Sequence, residues 1–187
     1  PRAAASLPDV HWVIIGEGPQ RPLLEALIAE HGVEDRVHLT GYIPDARRAL
    51  PEFDAFVFSS IDEPLGTSVL DAMACDVPVV GADAAGSREI LSPVHEATGT
   101  TLFPAGDAEG LAERVRTLVR EPERRPAILE AQRLRLMDYR SERTAEQTLR
   151  LYQELIAEIA ASPRARRPLR PWWGQRHRRR AKAKEAR

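Results

Sequence analysis

Short apolar runs of strand length alternate with segments of helical apolar spacing along most of this chain, and that alternation restricts its fold more than any other feature. Residues 10–15 (VHWVII), 36–39 (RVHL), 55–58 (AFVF), 78–81 (PVVG) and 100–103 (TTLF) read as strands. Between them, residues 22–31 place Leu23, Leu24, Leu27 and Ile28 on one helical face, with Gly32 as the stop. Short helices are expected at 45–50 and 87–91, and a longer one at 67–75. Helices at 109–120, 124–138 and 141–161 follow. Strands that alternate with helices pair in parallel and need cover on both faces, so the expected class is α/β, a Rossmann-like parallel sheet flanked by helices, with a long C-terminal helix. Such sheets bind ligands at the carboxyl ends of their strands. The loops opening at Gly16, Thr40, Ser59 and Gly81 therefore carry the search for function.

The net charge of −1 conceals a division. Residues 1–162 hold 16 Arg and no Lys against 27 acidic residues, whereas residues 163–187 hold 11 Lys and Arg against one Glu. We expect a folded domain over 1–162 and a basic, disordered tail over 163–187. One cysteine, Cys75, allows no internal disulfide. No apolar run is long enough to span a membrane, and the N-terminus has no signal-peptide pattern, so a cytoplasmic location, peripheral to the membrane through the tail, is the expectation.

The loop and helix over 59–74 (SSIDEPLGTSVLDAMA) concentrate the chemistry. Glu63 lies in the loop and Asp71 on the following helix. The first turn of a helix has unpaired N–H groups that favour an anion, typically phosphate. A carboxylate beside such a turn accepts hydrogen bonds from sugar hydroxyls while the amides hold the charge. By residue type alone, a second account is open: Glu63 as a solvated loop acid, Asp71 as a surface residue, and Thr67 or Ser68 as an ordinary helix cap.

The run resembles the signature of the GT-B glycosyltransferases of family 4, the group 1 glycosyl transferases. Their Glu-Gly-Phe-Gly, Leu-Glu-Ala-Met-Ala, Gly-x-Pro-Val-Val, Gly-Gly and Glu stand here as Glu63-Pro64-Leu65-Gly66, Leu70-Asp71-Ala72-Met73-Ala74, Pro78-Val79-Val80, Ala85-Gly86 and Glu89. Gly16-Glu17-Gly18-Pro19 resembles the family's Gly-x-Gly-Pro loop, and 98–107 resembles its Thr-Gly…Pro-x-Gly-Asp ending. The resemblance runs over residues 8–160, in order.

It implies the donor-binding portion of a retaining, metal-independent glycosyltransferase of polysaccharide or glycolipid biosynthesis, with a nucleotide diphosphate sugar as donor substrate and no cofactor. Glu63, the catalytic-site acid, would bond donor-sugar hydroxyls. The amides of Leu65, Gly66 and Thr67, with Ser68, would hold sugar and diphosphate. Asp71 would bind the ribose, the Ile43 backbone would meet the base, and Gly16 and Glu17 would form the loop that approaches the nucleotide. Three positions depart from the pattern. Asp71 is one methylene shorter than the usual Glu, Pro64 replaces Gly and removes an N–H, and Cys75-Asp76 stands where Gly is usual. The family's acceptor domain, and the first strand and helix of its donor domain, would precede Pro1. The chain alone is therefore expected to be catalytically incompetent.

Other functions find less support. Arg21 occupies the third glycine position of a dinucleotide fingerprint, which argues against a nicotinamide enzyme. The five histidines have no metal-ligand spacing, so no metal site is expected. His11 and His38 read as strand histidines, Trp12 as core, and Arg88 and Glu89 as a surface pair or a ligand contact. The tail, with Trp172 and Trp173 among its arginines, reads as a solvated segment or as a contact for an anionic membrane surface through residues 164–187. Nucleic acid is the least favoured partner. The competing function class is a non-catalytic module, derived from such an enzyme, that binds a nucleotide sugar or another protein.

Overall fold

The computed structural model describes residues 1–161. By its contacts the chain divides into two units, Pro1–Arg140 and Ser141–Arg187. The charge break at 162/163 and the tail it defines lie outside the described residues.

The first unit opens with a single helical turn, α1 (Arg2–Ala5), then β1 (Trp12–Ile15), α2 (Arg21–Glu30) and β2 (Val37–Gly41). A 3-10 segment at Ala46–Glu52 leads to β3 (Phe56–Phe58), α3 (Thr67–Ala74), β4 (Val79–Asp83), α4 (Ala85–Thr98) and β5 (Leu102–Pro104). Two helices, α5 (Ala108–Arg120) and α6 (Arg125–Leu136), complete it. The second unit is described through α7 (Ser141–Ala161), in which no residue is buried. Among the described residues no helix is long and apolar enough to cross a membrane.

Every strand pairing is parallel, as the alternation requires. The strands form two parallel sheets, β1–β2 and β3–β4–β5. Alternation dictates the sense of pairing but not which strands are neighbours. β4 is central in the larger sheet, and Val79, Val80, Gly81 and Ala82 are all buried there. In β1, by contrast, Val13 and Ile14 point to opposite faces and remain 41% and 37% exposed.

The main core joins Phe58, Val69, Met73, Val79, Ile90 and Leu91, so α3 and α4 are packed against the β3–β4 pair. On α3 the buried positions are Val69, Ala72 and Met73; Leu70 is half-buried and Ala74 exposed. A second cluster sets Ala3 and Leu7 against Ala112 and Val115, with Trp12 and Val57 at its border. Trp12 is therefore partly buried, and its indole Nε1 has no hydrogen-bond partner among the described residues.

The largest departure in secondary structure is α4. A short helix over 87–91 was expected, although Pro93 lies two residues beyond it and would disfavour continuation. The helix instead continues through Pro93 to Thr98, where Gly99 at φ 72° terminates it. The carbonyl freed by Pro93 has found another donor, described below. α5 begins at Asp107, whose carboxylate accepts from the N–H groups of Glu109 and Gly110.

Candidate donor-binding site

The expected residues gather at the carboxyl ends of the strands in two groups, one per sheet. On the smaller sheet, Gly16 follows β1 with φ 141°, a backbone region open to glycine. Its N–H donates to the Gly41 carbonyl at 2.9 Å, which ties the loop after β1 to the end of β2. Glu17 is exposed, and its carboxylate accepts from Arg21 Nη1 at 2.9 Å. That carboxylate lies over Gly41, where a Cβ would sit 2.6 Å from Glu17 Oε1. Beyond Gly41 the chain presents Tyr42, 75% exposed, and Ile43, 37% exposed.

On the larger sheet, the loop after β3 carries Glu63 and Leu65 and enters α3 at Gly66. Gly66 is the helix cap, with φ 75° and ψ 58°, and no side chain caps the first turn. The account in which Thr67 or Ser68 is an ordinary cap is thus excluded: both stand inside the helix, exposed to solvent. The tight turn is held from below by Phe58, whose ring would lie 3.3 Å from a Cβ at Gly66. The result is a helix start with unsatisfied amides and a partial positive charge turned to the surface. Among the described residues the Glu63 carboxylate has no hydrogen-bond or ion-pair partner, so its acceptor oxygens are available to a ligand.

Asp71, one turn into α3, is half-exposed. Arg47, from the 3-10 segment after β2, reaches to 3.9 Å of its carboxylate. This is a long, solvated pair of small energetic weight. It is also a link between the connection leaving β2 and the helix that follows β3.

Gly86, in the first turn of α4, supports the Glu63 loop. Its N–H donates to the Glu63 carbonyl at 3.0 Å, and the Leu65 backbone rests directly on its Cα. Ser87 Oγ lies 2.6 Å from the carbonyls of Ala82 and Ala84 and donates to one at a time, fixing the turn from β4 into α4. Arg88 folds back onto Asp83, with Nε to Oδ1 at 2.5 Å and Nη2 to the backbone carbonyl at 2.8 Å. Arg88 and Glu89 are therefore not paired with each other in the way the sequence suggested.

His11 and His38 meet across the smaller sheet, ring nitrogens 3.4 Å apart. Cys75 is half-buried at the end of α3. Among the described residues no group of three His, Cys, Asp or Glu side chains is arranged to hold a metal ion. An open cleft of about 340 Å³ lies between Arg2, His31, Ser59, Phe103 and Asp107, and none of the expected site residues lines it. The candidate site is accordingly a surface built on helix and strand ends.

Sequence reasoning missed the supports of this surface. The interaction of Gly86 with Leu65 could be suspected from an Ala-Gly pair ahead of a helix, but its partner could not. Phe58 beneath Gly66 carried no signal beyond its place in an apolar strand.

The family model for group 1 glycosyl transferases matches residues 1–121. A lipopolysaccharide core biosynthesis glycosyltransferase of Rhizobium meliloti is 33% identical over 128 residues, 68% of this chain and 37% of the relative. A 2-deoxystreptamine N-acetyl-D-glucosaminyltransferase of Streptomyces fradiae is 31% identical over 160 residues, 84% of this chain and 37% of the relative. Among solved structures, sucrose-phosphate synthase from Thermosynechococcus elongatus is similar with a TM-score of 0.70 at 27% identity, covering 83% of this chain and 41% of that one. Anabaena HepE, solved with UDP-glucose, gives 0.71 at 26%, covering 81% and 43%. The chain spans 37% of the length of the two curated relatives named here.

Proposed function

This chain belongs to the group 1 glycosyl transferases, and on that premise we propose that it is the donor-binding portion of a retaining, metal-independent enzyme that uses a nucleotide diphosphate sugar. The observation that carries the reading is the start of α3: uncapped amides at Gly66, with an unpartnered Glu63 carboxylate before it and Asp71 one turn inside. The amides of Leu65, Gly66 and Thr67, with the Ser68 hydroxyl, hold the diphosphate and its sugar. Glu63 accepts hydrogen bonds from the donor-sugar hydroxyls, and Asp71 accepts from the ribose. Ile43 meets the base through its backbone, and Gly16 admits the nucleotide to the loop that Glu17 and Arg21 brace. In such a site the helix terminus supplies the positive potential that a divalent ion supplies elsewhere.

Calorimetric titration with UDP and UDP-glucose, compared with the corresponding guanosine compounds, tests the reading. Asp71→Ala is expected to weaken free nucleotide and sugar nucleotide alike. Glu63→Ala is expected to weaken the sugar nucleotide and leave the free nucleotide unchanged. Equal loss of both ligands in both variants would overturn the assignment of roles.

A second element of the proposal concerns the partner of residues 164–187, which hold 11 of the chain's 27 Lys and Arg together with Trp172 and Trp173. That composition suits the surface of an anionic membrane, where basic side chains meet headgroups and indole rings settle at the interface.

A further inference from the structure

Pro93 stands inside α4 as its ninth residue. A proline has no N–H, so the carbonyl four residues earlier, that of Glu89, loses its helical donor. Arg135 of α6 takes that place. Its Nη2 donates to the Glu89 carbonyl at 2.8 Å and its Nε to the Ile90 carbonyl at 3.1 Å. The guanidinium is itself held on its other sides. Nη1 donates to Asp138 at 2.7 Å, Nη2 to the Tyr139 hydroxyl at 2.9 Å, and the ring of Tyr139 lies 4.9 Å from its Cζ. A planar fork with several donors suits two successive carbonyls in a way that a lysine ammonium does not.

The same helix carries the support of the Glu63 loop at its other end. Gly86 donates to the Glu63 carbonyl, and Leu65 rests on Gly86. A rigid helix transmits the position of its middle to its first turn. We propose that Arg135 is a positioning residue for the donor site: by replacing the hydrogen bond that Pro93 removes, it holds α4 where Gly86 can seat the loop bearing Glu63. The connection to donor binding rests on the function proposed above. The connection to the loop does not.

Two measurements separate the two. Hydrogen exchange of the Gly86 amide reads the loop contact directly, with the Val80 amide in the buried strand β4 as internal reference. In Arg135→Met the Gly86 amide is expected to exchange about tenfold faster relative to Val80, the scale of a lost hydrogen bond to a charged donor. Arg135→Lys retains charge without the fork and falls between wild type and Arg135→Met; it serves alone if the methionine variant does not fold. Pro93→Ala restores an N–H to Glu89, so Pro93→Ala/Arg135→Met is expected to exchange at nearly the wild-type rate. Unchanged exchange in both Arg135 variants, or no rescue by Pro93→Ala, overturns the proposal. Calorimetry with UDP-glucose then reads the consequence: affinity should fall in Arg135→Met and return in the double variant. A wild-type chain that binds no UDP-glucose overturns the donor reading, and the exchange result still decides the role of Arg135.

Discussion

The amide of Gly86 donates to the carbonyl of Glu63 at 3.0 Å, so the loop that presents the candidate acid is also the cap of the next helix. α4 has no side-chain cap, and the loop backbone satisfies one of its orphan donors. Folding and site geometry therefore share one hydrogen bond. A methyl group at position 86 would lie 2.6 Å from Leu65 Cα and 2.7 Å from the Leu65 carbonyl, where only backbone movement relieves the contact. Gly86→Ala is expected to cost about 1–3 kcal/mol in stability by overpacking. It should also weaken UDP-glucose binding more than Ser92→Ala, a substitution on the same helix far from the loop. Denaturant titration and calorimetry on the two variants check this; equal affinities would show that the loop does not depend on Gly86.

His95 supplies a pH dependence. Its Nδ1 accepts from the N–H groups of Thr101 at 3.2 Å and Leu102 at 3.1 Å, so the ring acts as a neutral acceptor. Burial first, and then the nearby Arg114, hold its pKa below the ordinary 6.5, with Asp83 and Glu96 opposing. The unfolded chain therefore takes up this proton at higher pH than the folded chain. Stability from this group is full above 6.5 and declines as pH falls through the window between 6.5 and the lower folded value. Thermal unfolding at pH 7.5 and near pH 5.5 should show a loss that is smaller in His95→Asn, whose amide oxygen can accept without titrating.

Gln132 on α6 is fully buried and pairs with the backbone on either side of Pro78, at the entry to β4. Its Oε1 accepts from the Val79 N–H at 2.8 Å, and its Nε2 donates to the Val77 carbonyl at 3.0 Å. Gln132→Leu keeps an apolar shape but strands both backbone groups, at about 1–3 kcal/mol each. A shift of the urea midpoint without change of slope is the expected result, and an unshifted midpoint would place water or another donor at those groups.

For residues 164–187, sedimentation with vesicles of neutral and of anionic lipid discriminates between partners. The full chain should bind the anionic vesicles alone, and binding should weaken as salt rises. Truncation after residue 163 should abolish it. Equal binding to both vesicle types would reject the anionic surface as the partner.

The class of fold and the position of the site follow from local rules that the chain states openly. Apolar runs broken by glycine and by helical spacing are enough for parallel βα units, and α3 begins and ends within a residue of expectation because Gly66 is the conformationally free point before an apolar helix. The candidate site residues Glu63, Gly66 and Asp71 lie in one short stretch, so their neighbourhood around the start of α3 could be read along the chain. What only the tertiary structure decided are the relations between distant stretches. The division into two sheets, the length of α4, the seat of Leu65 on Gly86, and the pairs Arg135–Glu89 and Arg47–Asp71 each join residues whose local sequence carries no mark of the other. A proline reads as a helix end until a guanidinium 42 positions later is found to complete the missing bond. Local conformation depends on near neighbours and can be read along the chain. Satisfaction of buried polar groups depends on whichever donor packing brings close, and that is settled only when the whole unit is folded.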